Sequence, residues 1–183
     1  MSEKPTYLGL LNAISLGESE AEGYLNCWAA TTKSDDVRAI ISTVALREGE
    51  HGKAFAKRMC ELGYGVVPKE GSELDAKMAI ASSTTLSDRE KFEKLGVGKA
   101  PNPGKDIFST FMDDTTMDIQ TGALMGRYIA EERDSGRILR GCYDTLCSEE
   151  SGSSPQQMAS LEPLAGQLGR IEVLLEKLVA AQG

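Results

Sequence analysis

The chain is poor in aromatic residues, in histidine and in paired cysteines, and each shortage excludes a class of protein. Aromatic residues make up 5% of the 183 positions, and β-branched residues are scattered rather than alternating with polar ones, so nothing favours a sheet. Cys27, Cys60, Cys142 and Cys147 lack CxxC spacing, which argues against a zinc ribbon or a disulfide framework. His51 is the only histidine, so any site that needs two imidazoles from one chain is excluded.

Basic charge and long apolar runs are scarce as well. The chain has 20 basic against 28 acidic residues and a net charge of −8. A surface of that sign repels phosphate backbones, so we expect no nucleic-acid partner. No stretch reaches the roughly 18 apolar residues of a membrane span, and residues 1–5 lack the basic-then-apolar pattern of a signal peptide. We therefore expect a cytoplasmic protein with no membrane partner.

What the chain does contain is apolar residues that recur every three and four positions, which is the period of amphipathic helices. This pattern predicts an all-α protein with a single domain over residues 1–183. Ser34 is a good N-cap, Gly63 a stop signal, and Pro155 a first-turn residue that opens the last helix. The four long helices are expected at about 6–32, 35–62, 116–148 and 155–181, with a crossover over 63–115.

The crossover is too long for a simple turn and carries signals of short helices. Ser87 and Glu90 form a capping-box pattern for a short helix that ends near Gly96. Ser72 is expected to cap another short helix that runs through Ser82, and one more helical turn is expected within 106–112. Two short loops and one long connection favour an up-down-down-up four-helix bundle, in which the second and third long helices run parallel.

Several ionisable side chains fall on the apolar stripes of these helices. At 100° per residue, Glu18 lies roughly 40° from the centre of the first stripe, and Glu48 and His51 lie about as close to the centre of the second. Glu132 lies near the centre of the third stripe. Three helices thus present a carboxylate to the core, and Glu18 and Glu48 lie at similar distances from the turn that joins their helices.

Other polar residues lie at the edges of the stripes. Glu22 and Glu131 occupy edge positions on the first and third helices, and Gln167 and Glu172 flank the stripe of the fourth. Burying three unpaired carboxylates would cost several kcal/mol each, so something must compensate them. Hydrogen bonds with proton uptake are one answer, and bound cations are another, since a metal accepts carboxylate oxygens and an imidazole nitrogen together.

With these residues in place, the sequence resembles the ferritin-like superfamily of carboxylate-bridged di-iron four-helix proteins. Residues 48–51, Glu-Gly-Glu-His, match the E-x-x-H motif that this superfamily carries on its second helix. The resemblance assigns Glu18 to the first-helix ligand position and Glu132 or Glu131 to the third-helix position. It covers the four long helices and not the crossover.

The resemblance has one clear departure. Rubrerythrin-like and bacterioferritin-like members carry a second E-x-x-H on the last helix, where this chain has Leu-Gly-Arg-Ile at 168–171. True ferritins use one E-x-x-H, two further glutamates and a glutamine on the fourth helix. By that likeness Glu48 would bridge two metals, Glu18 and His51 would complete one coordination sphere, Glu132 would bind the other metal, and Gln167 or Glu172 would take the last position.

The function implied is that of an iron protein that oxidises ferrous iron or reacts with O2 or peroxide. Iron is expected as one or two ions, with manganese left open because carboxylate-rich ligands accept both metals. The partners are then metal ions and O2 or peroxide, and a homodimer stays open. One alternative is a ferritin-like scaffold or binding module without metal, whose glutamates are protonated or hydrogen-bonded to Tyr24, Tyr128 or Tyr143. Another is a site completed by a second chain at a subunit interface.

Overall fold

The computed structural model describes residues 4–68, 71, 73–98, 108 and 110–150. These residues form five α-helices and no strand, which confirms the all-α prediction for this part of the chain. None of the helices within these ranges has the length and apolar character needed to cross a membrane. The helices are α1 (Leu8–Thr31), α2 (Asp35–Glu61), α3 (Leu74–Ala81), α4 (Asp88–Leu95) and α5 (Ile119–Glu150).

The three long helices lie close to the ranges predicted at 6–32, 35–62 and 116–148. Helix α5 begins at Ile119 rather than at 116, because the carboxylate of Asp118 accepts hydrogen bonds from the backbone N–H groups of Gln120 and Thr121, both at 3.0 Å. The fourth predicted helix, 155–181, lies outside the described residues. The chain divides into two compact units, Met1–Leu146 and Cys147–Gly183, and the contacts described below all lie within the first.

Helices α1 and α2 form an antiparallel hairpin across a short turn. The Ser34 side chain caps α2 by accepting a hydrogen bond from the Val37 N–H, and Asp35 and Asp36 place negative charge in the first turn. Arg38 donates to the last carbonyls of the preceding segment, at 3.2 Å to Ala29 O and 2.7 Å to Thr32 O. These contacts fix where α1 ends and α2 begins.

Helix α5 runs parallel to α1 and antiparallel to α2. The Arg58 guanidinium contacts Asp118 at 2.8 Å, whereas Arg47, three turns earlier on α2, contacts Asp134 at 2.9 Å, further along α5. The later residue of α2 thus contacts the earlier residue of α5, which means that the two helices run in opposite directions. The prediction that the second and third long helices are parallel, as an up-down-down-up bundle requires, is wrong for this pair.

The reason lies in the path of the crossover, which travels the length of the hairpin twice. Helices α3 and α4 pack at the end that carries the α1–α2 turn, where Trp28 Nε1 donates to Asp88 at 2.6 Å and the buried Lys91 ammonium donates to Ala81 O at 2.9 Å. The chain then returns to the other end, where Asp114 accepts a hydrogen bond from Thr6. Helix α5 consequently starts beside the end of α2.

The short helices are confirmed in part. Helix α4 has the full capping box of Ser87 and Glu90 and ends at Gly96, whose φ of 74° is a left-handed conformation suited to glycine. Helix α3 begins at Leu74 with Glu73 in the N-cap position, and the predicted cap Ser72 lies outside the described residues. Within 106–112 the described residues form turns and no helix.

The core consists of two apolar clusters on either side of a polar layer. One cluster joins the second half of α1, the first half of α2 and the second half of α5, with Trp28, Ile41 and Leu139 among its members. The other joins the opposite halves, with Leu11, Phe55 and Met125 among its members. Each long helix contributes one half to each cluster. The ionisable residues that the sequence predicted to face inward lie in the polar layer between the two halves.

Candidate metal centre

Four of the predicted site residues meet in the polar layer between the two apolar clusters. Glu18 from α1, Glu48 and His51 from α2, and Glu132 from α5 each offer one ligand atom, and the four atoms lie within 4.8 Å of one another. His51 is 4% exposed and Glu48 is 7% exposed. Glutamate and histidine three residues apart lie on the same face of α2, one turn apart, so both side chains can reach one point.

The imidazole of His51 brings an unpartnered nitrogen to this point. His51 Nδ1 lies 3.3 Å from Glu132 Oε1, and both atoms are buried without a hydrogen-bond partner. Buried polar atoms in folded proteins are nearly always paired, because an unpaired one costs about 1–3 kcal/mol. A nitrogen lone pair and a carboxylate oxygen facing each other are what a cation between them would satisfy, so the residues fit a metal ion.

The other ring nitrogen of His51 contacts Glu131. His51 Nε2 lies 2.6 Å from Glu131 Oε2, and Glu131 Oε1 accepts a hydrogen bond of 2.9 Å from Arg127 Nε. Burial by itself raises the pKa of Glu131, but the hydrogen bonds from His51 and Arg127 outweigh it, and the pKa lies below its usual value. Glu131 is therefore an ionised acceptor, which requires Nε2 to carry the proton.

The two adjacent glutamates of α5 thus have different roles. Glu132 joins the cluster, whereas Glu131 lies on the far side of the imidazole and outside the cluster. The sequence left open whether Glu131 or Glu132 is the third-helix ligand. In the structure Glu132 is the one that lies close to the other candidate ligands.

Glu18 accepts a hydrogen bond from a tyrosine and has a raised pKa. The Tyr128 hydroxyl donates a hydrogen bond of 2.8 Å to Glu18 Oε1, and the Tyr128 ring packs edge-on against His51. Burial and the charge of Glu132 raise the pKa of Glu18 to about 7, against the opposing effects of Tyr128 and His51. A carboxyl group with this pKa exchanges a proton near neutral pH.

The pKa of His51 also depends on the neighbouring glutamates. Burial lowers the pKa of the imidazole, but the close contacts with the carboxylates of Glu132 and Glu131, together with the charge of Glu18, outweigh burial, and the net pKa is raised. The metal-free cluster therefore holds extra protons, which partly compensates the buried carboxylates.

A cavity of about 360 Å³ reaches the carboxylates of the cluster. Its lining includes Glu18, Glu48 and Glu132 together with Tyr24 and Ser135, and contains no lysine or arginine among the described residues. Its other walls are small or apolar side chains. The field of three acids and the lack of basic groups suit a cation or a small neutral molecule and disfavour an anion.

The remaining candidates lie outside the cluster or outside the described residues. Glu22 forms an ion pair of 3.0 Å with Lys53, and its carboxylate lies against the α carbon of Gly49, where a Cβ would come within 2.2 Å of Oε1. Gln167 and Glu172 lie outside the described residues. Of the three tyrosines considered in the sequence, Tyr128 contacts the cluster directly, and burial with the charges of nearby glutamates raises the pKa of Tyr24 to about 12.

Two features of the site were missed in the sequence. One is Glu131 as the acceptor for His51 Nε2, and the other is Arg127 as the partner of Glu131. The spacing of Arg127 and Glu131, four residues apart on one helix, predicts an ion pair between them but not the contact of Glu131 with the imidazole.

Comparison of the chain with protein-family models, with curated proteins and with solved structures finds no match.

Proposed function

We propose that the chain is a ferritin-like iron protein, in which Glu18, Glu48, His51 and Glu132 bind iron and the protein oxidises ferrous iron with O2 or peroxide. The observation that carries the proposal is the pair of buried, unpartnered atoms, His51 Nδ1 and Glu132 Oε1, that face each other inside a cluster of three carboxylates. Proteins rarely retain such a pair unless something binds there.

The ligand chemistry supports a divalent metal of the iron type. Three carboxylates and one imidazole form an oxygen-rich set, which suits Fe²⁺ or Mn²⁺. The E-x-x-H motif of α2 and the contribution of ligands from three long helices are the basis for preferring iron and for the ferritin-like part of the proposal. The antiparallel arrangement of α2 and α5 departs from the predicted helix order, so the resemblance lies in the ligand pattern rather than in the topology.

The surroundings of the cluster are compatible with iron as a substrate. The acid-lined cavity attracts a cation and leaves room for O2 or hydrogen peroxide. In the reaction with peroxide, each ferrous ion loses one electron, and two such electrons with two protons convert one peroxide to two waters. Glu18, with its pKa of about 7, is a group that holds and releases a proton near neutral pH.

A metal-free scaffold is the second candidate, and a specific observation favours it. Tyr128 already donates to Glu18, and the raised pKa of both Glu18 and His51 lets the cluster take up protons in place of a cation. In that case the cluster is a hydrogen-bonded polar layer without catalytic function.

The experiment that tests the proposal measures O2 consumption after addition of Fe²⁺ to protein purified without a metal-affinity tag. We expect the wild-type chain to accelerate O2 consumption and His51→Ala to lose the acceleration. Glu50→Gln is the matched control, because Glu50 belongs to the same motif but its side chain is 70% exposed. Acceleration that is absent in the wild type, or unchanged in His51→Ala, would contradict the proposal and favour the scaffold.

A further inference from the structure

The two nitrogens of the only imidazole in the chain face different partners. Nδ1 faces Glu132 in the cluster, and Nε2 contacts Glu131 at 2.6 Å. Arg127 holds Glu131 from the other side, at 2.9 Å from its second oxygen. The result is a chain of contacts from a largely exposed guanidinium, through a partly exposed carboxylate, to a buried ring.

We propose that Glu131 is a positioning residue that fixes His51 with Nε2 protonated and Nδ1 directed at the metal. The inference rests on the proposed metal-binding function and adds to it the orientation of the imidazole ligand and the residue that sets it. Glu131 acts through His51 and does not touch the bound ion.

The physical reason is that a neutral imidazole offers one lone pair, and its other nitrogen carries the proton. The Glu131 oxygen that lies 2.6 Å from Nε2 accepts the hydrogen bond of that proton, so the lone pair is left on Nδ1. Acceptors of this kind hold metal-binding histidines in one tautomer and orientation, and their loss typically weakens metal binding about 10- to 100-fold.

Packing is the competing explanation for the ring orientation. Tyr128 lies edge-on to His51, with ring centroids 5.1 Å apart, and could hold the imidazole without help from Glu131. The two explanations predict different effects of removing the Glu131 carboxylate. If packing alone is responsible, Glu131→Ala leaves both the orientation of the His51 ring and the metal affinity of the protein unchanged.

The test uses the full chain with ¹⁵N-labelled histidine and Zn²⁺ as a diamagnetic probe. Because His51 is the only histidine, the spectrum contains one imidazole and needs no assignment. We expect zinc-loaded wild type to show a metal-bound Nδ1 and a protonated Nε2. Glu131→Ala is expected to bind Zn²⁺ about 10- to 100-fold more weakly and to lose the single-tautomer signal. Glu131→Gln should recover part of the affinity, because its amide oxygen still accepts from Nε2.

The matched control is Glu50→Gln. Glu50 is a second described carboxylate near Arg127, at 3.6 Å, and it lies outside the cluster, so the variant should keep wild-type affinity and the wild-type spectrum. Circular dichroism checks that each variant is folded.

The outcomes separate this inference from the proposed function. A wild-type chain that does not bind Zn²⁺ or Fe²⁺ overturns both. A wild-type chain that binds metal while Glu131→Ala keeps its affinity and its Nδ1 coordination overturns the positioning role alone. Coordination through Nε2 in the wild type also overturns it, since Glu131 would then have to leave its present contact.

Discussion

Neutralising Glu18 is expected to stabilise the metal-free protein, although the substitution removes a candidate ligand. The pKa of Glu18 is raised from 4.5 to about 7 by burial and by the charge of Glu132. A difference of about 2.5 pKa units corresponds to about 3 kcal/mol, since one unit is worth 1.36 kcal/mol. Because part of the side chain reaches solvent, we treat this figure as an upper bound.

The sign of the pH dependence follows from the direction of the shift. The folded state holds its proton more tightly than the unfolded state, so the favourable contribution of the protonated Glu18 is complete below about pH 4.5 and is lost as pH rises through 7. Glu18→Gln cannot ionise, and its amide oxygen can still accept the hydrogen bond from Tyr128. We therefore expect the variant to exceed the wild type by less than about 1 kcal/mol at pH 5 and by up to about 3 kcal/mol at pH 8.

Urea unfolding of chelator-treated protein, followed by circular dichroism at both pH values, measures this difference. Glu20→Gln on the same helix controls for the loss of one negative charge. A Glu18→Gln variant that has the same advantage at pH 5 and pH 8, or that is less stable at pH 8, would refute the buried-charge reasoning.

A bound metal should reduce the stability advantage of Glu18→Gln over the wild type. A ligand at 100 times its dissociation constant stabilises the folded state by about 2.7 kcal/mol. The wild type should gain this amount on addition of Zn²⁺, and Glu18→Gln should gain less because one ligand is missing. Equal gains for the two proteins would exclude Glu18 from the binding site.

Further predictions concern the helix contacts that position the site. In Gly52→Ala, the new Cβ would lie 2.6 Å from the Ser19 hydroxyl and 3.1 Å from the Ser19 backbone nitrogen, so we expect a loss of about 1–3 kcal/mol in urea unfolding. Gly49→Ala is the matched control, since the three atoms nearest to its new Cβ all belong to the end of the flexible Glu22 side chain, and it should change stability by less than about 1 kcal/mol. Arg58→Met should lose about 3 kcal/mol or more in the same assay, because the largely buried guanidinium contacts the start of α5. The exposed Lys57→Met should lose less than about 1 kcal/mol, and similar losses for both variants would refute the role given to the α2–α5 contact.

The sequence predicted the long helices and the inward acids because both depend on local periodicity. Glu48 and His51 lie within the apolar stripe of their own helix, so their direction can be calculated without knowing the partner helices. The same calculation placed Glu132 nearer the stripe than Glu131, and in the described structure Glu132 joins the cluster.

The helix order could not be predicted in this way, because it depends on contacts distant in sequence. The length of the crossover shows that it can cross the bundle, but not whether it crosses once or twice. The second crossing follows from contacts such as Trp28 with Asp88 and Tyr7 with Asp118, which are 60 and 111 positions apart. The role of Glu131 was missed for the same reason, since its partner His51 lies on another helix.

The central claim is that three carboxylates and His51 Nδ1 bind one or two iron ions between the apolar clusters. Anomalous diffraction at the iron absorption edge, from crystals grown anaerobically with Fe²⁺, locates bound iron directly. The account predicts an iron peak within bonding distance of Glu18, Glu48, His51 Nδ1 and Glu132. Well-ordered crystals without a peak at this position, or with iron held elsewhere in the chain, would contradict it.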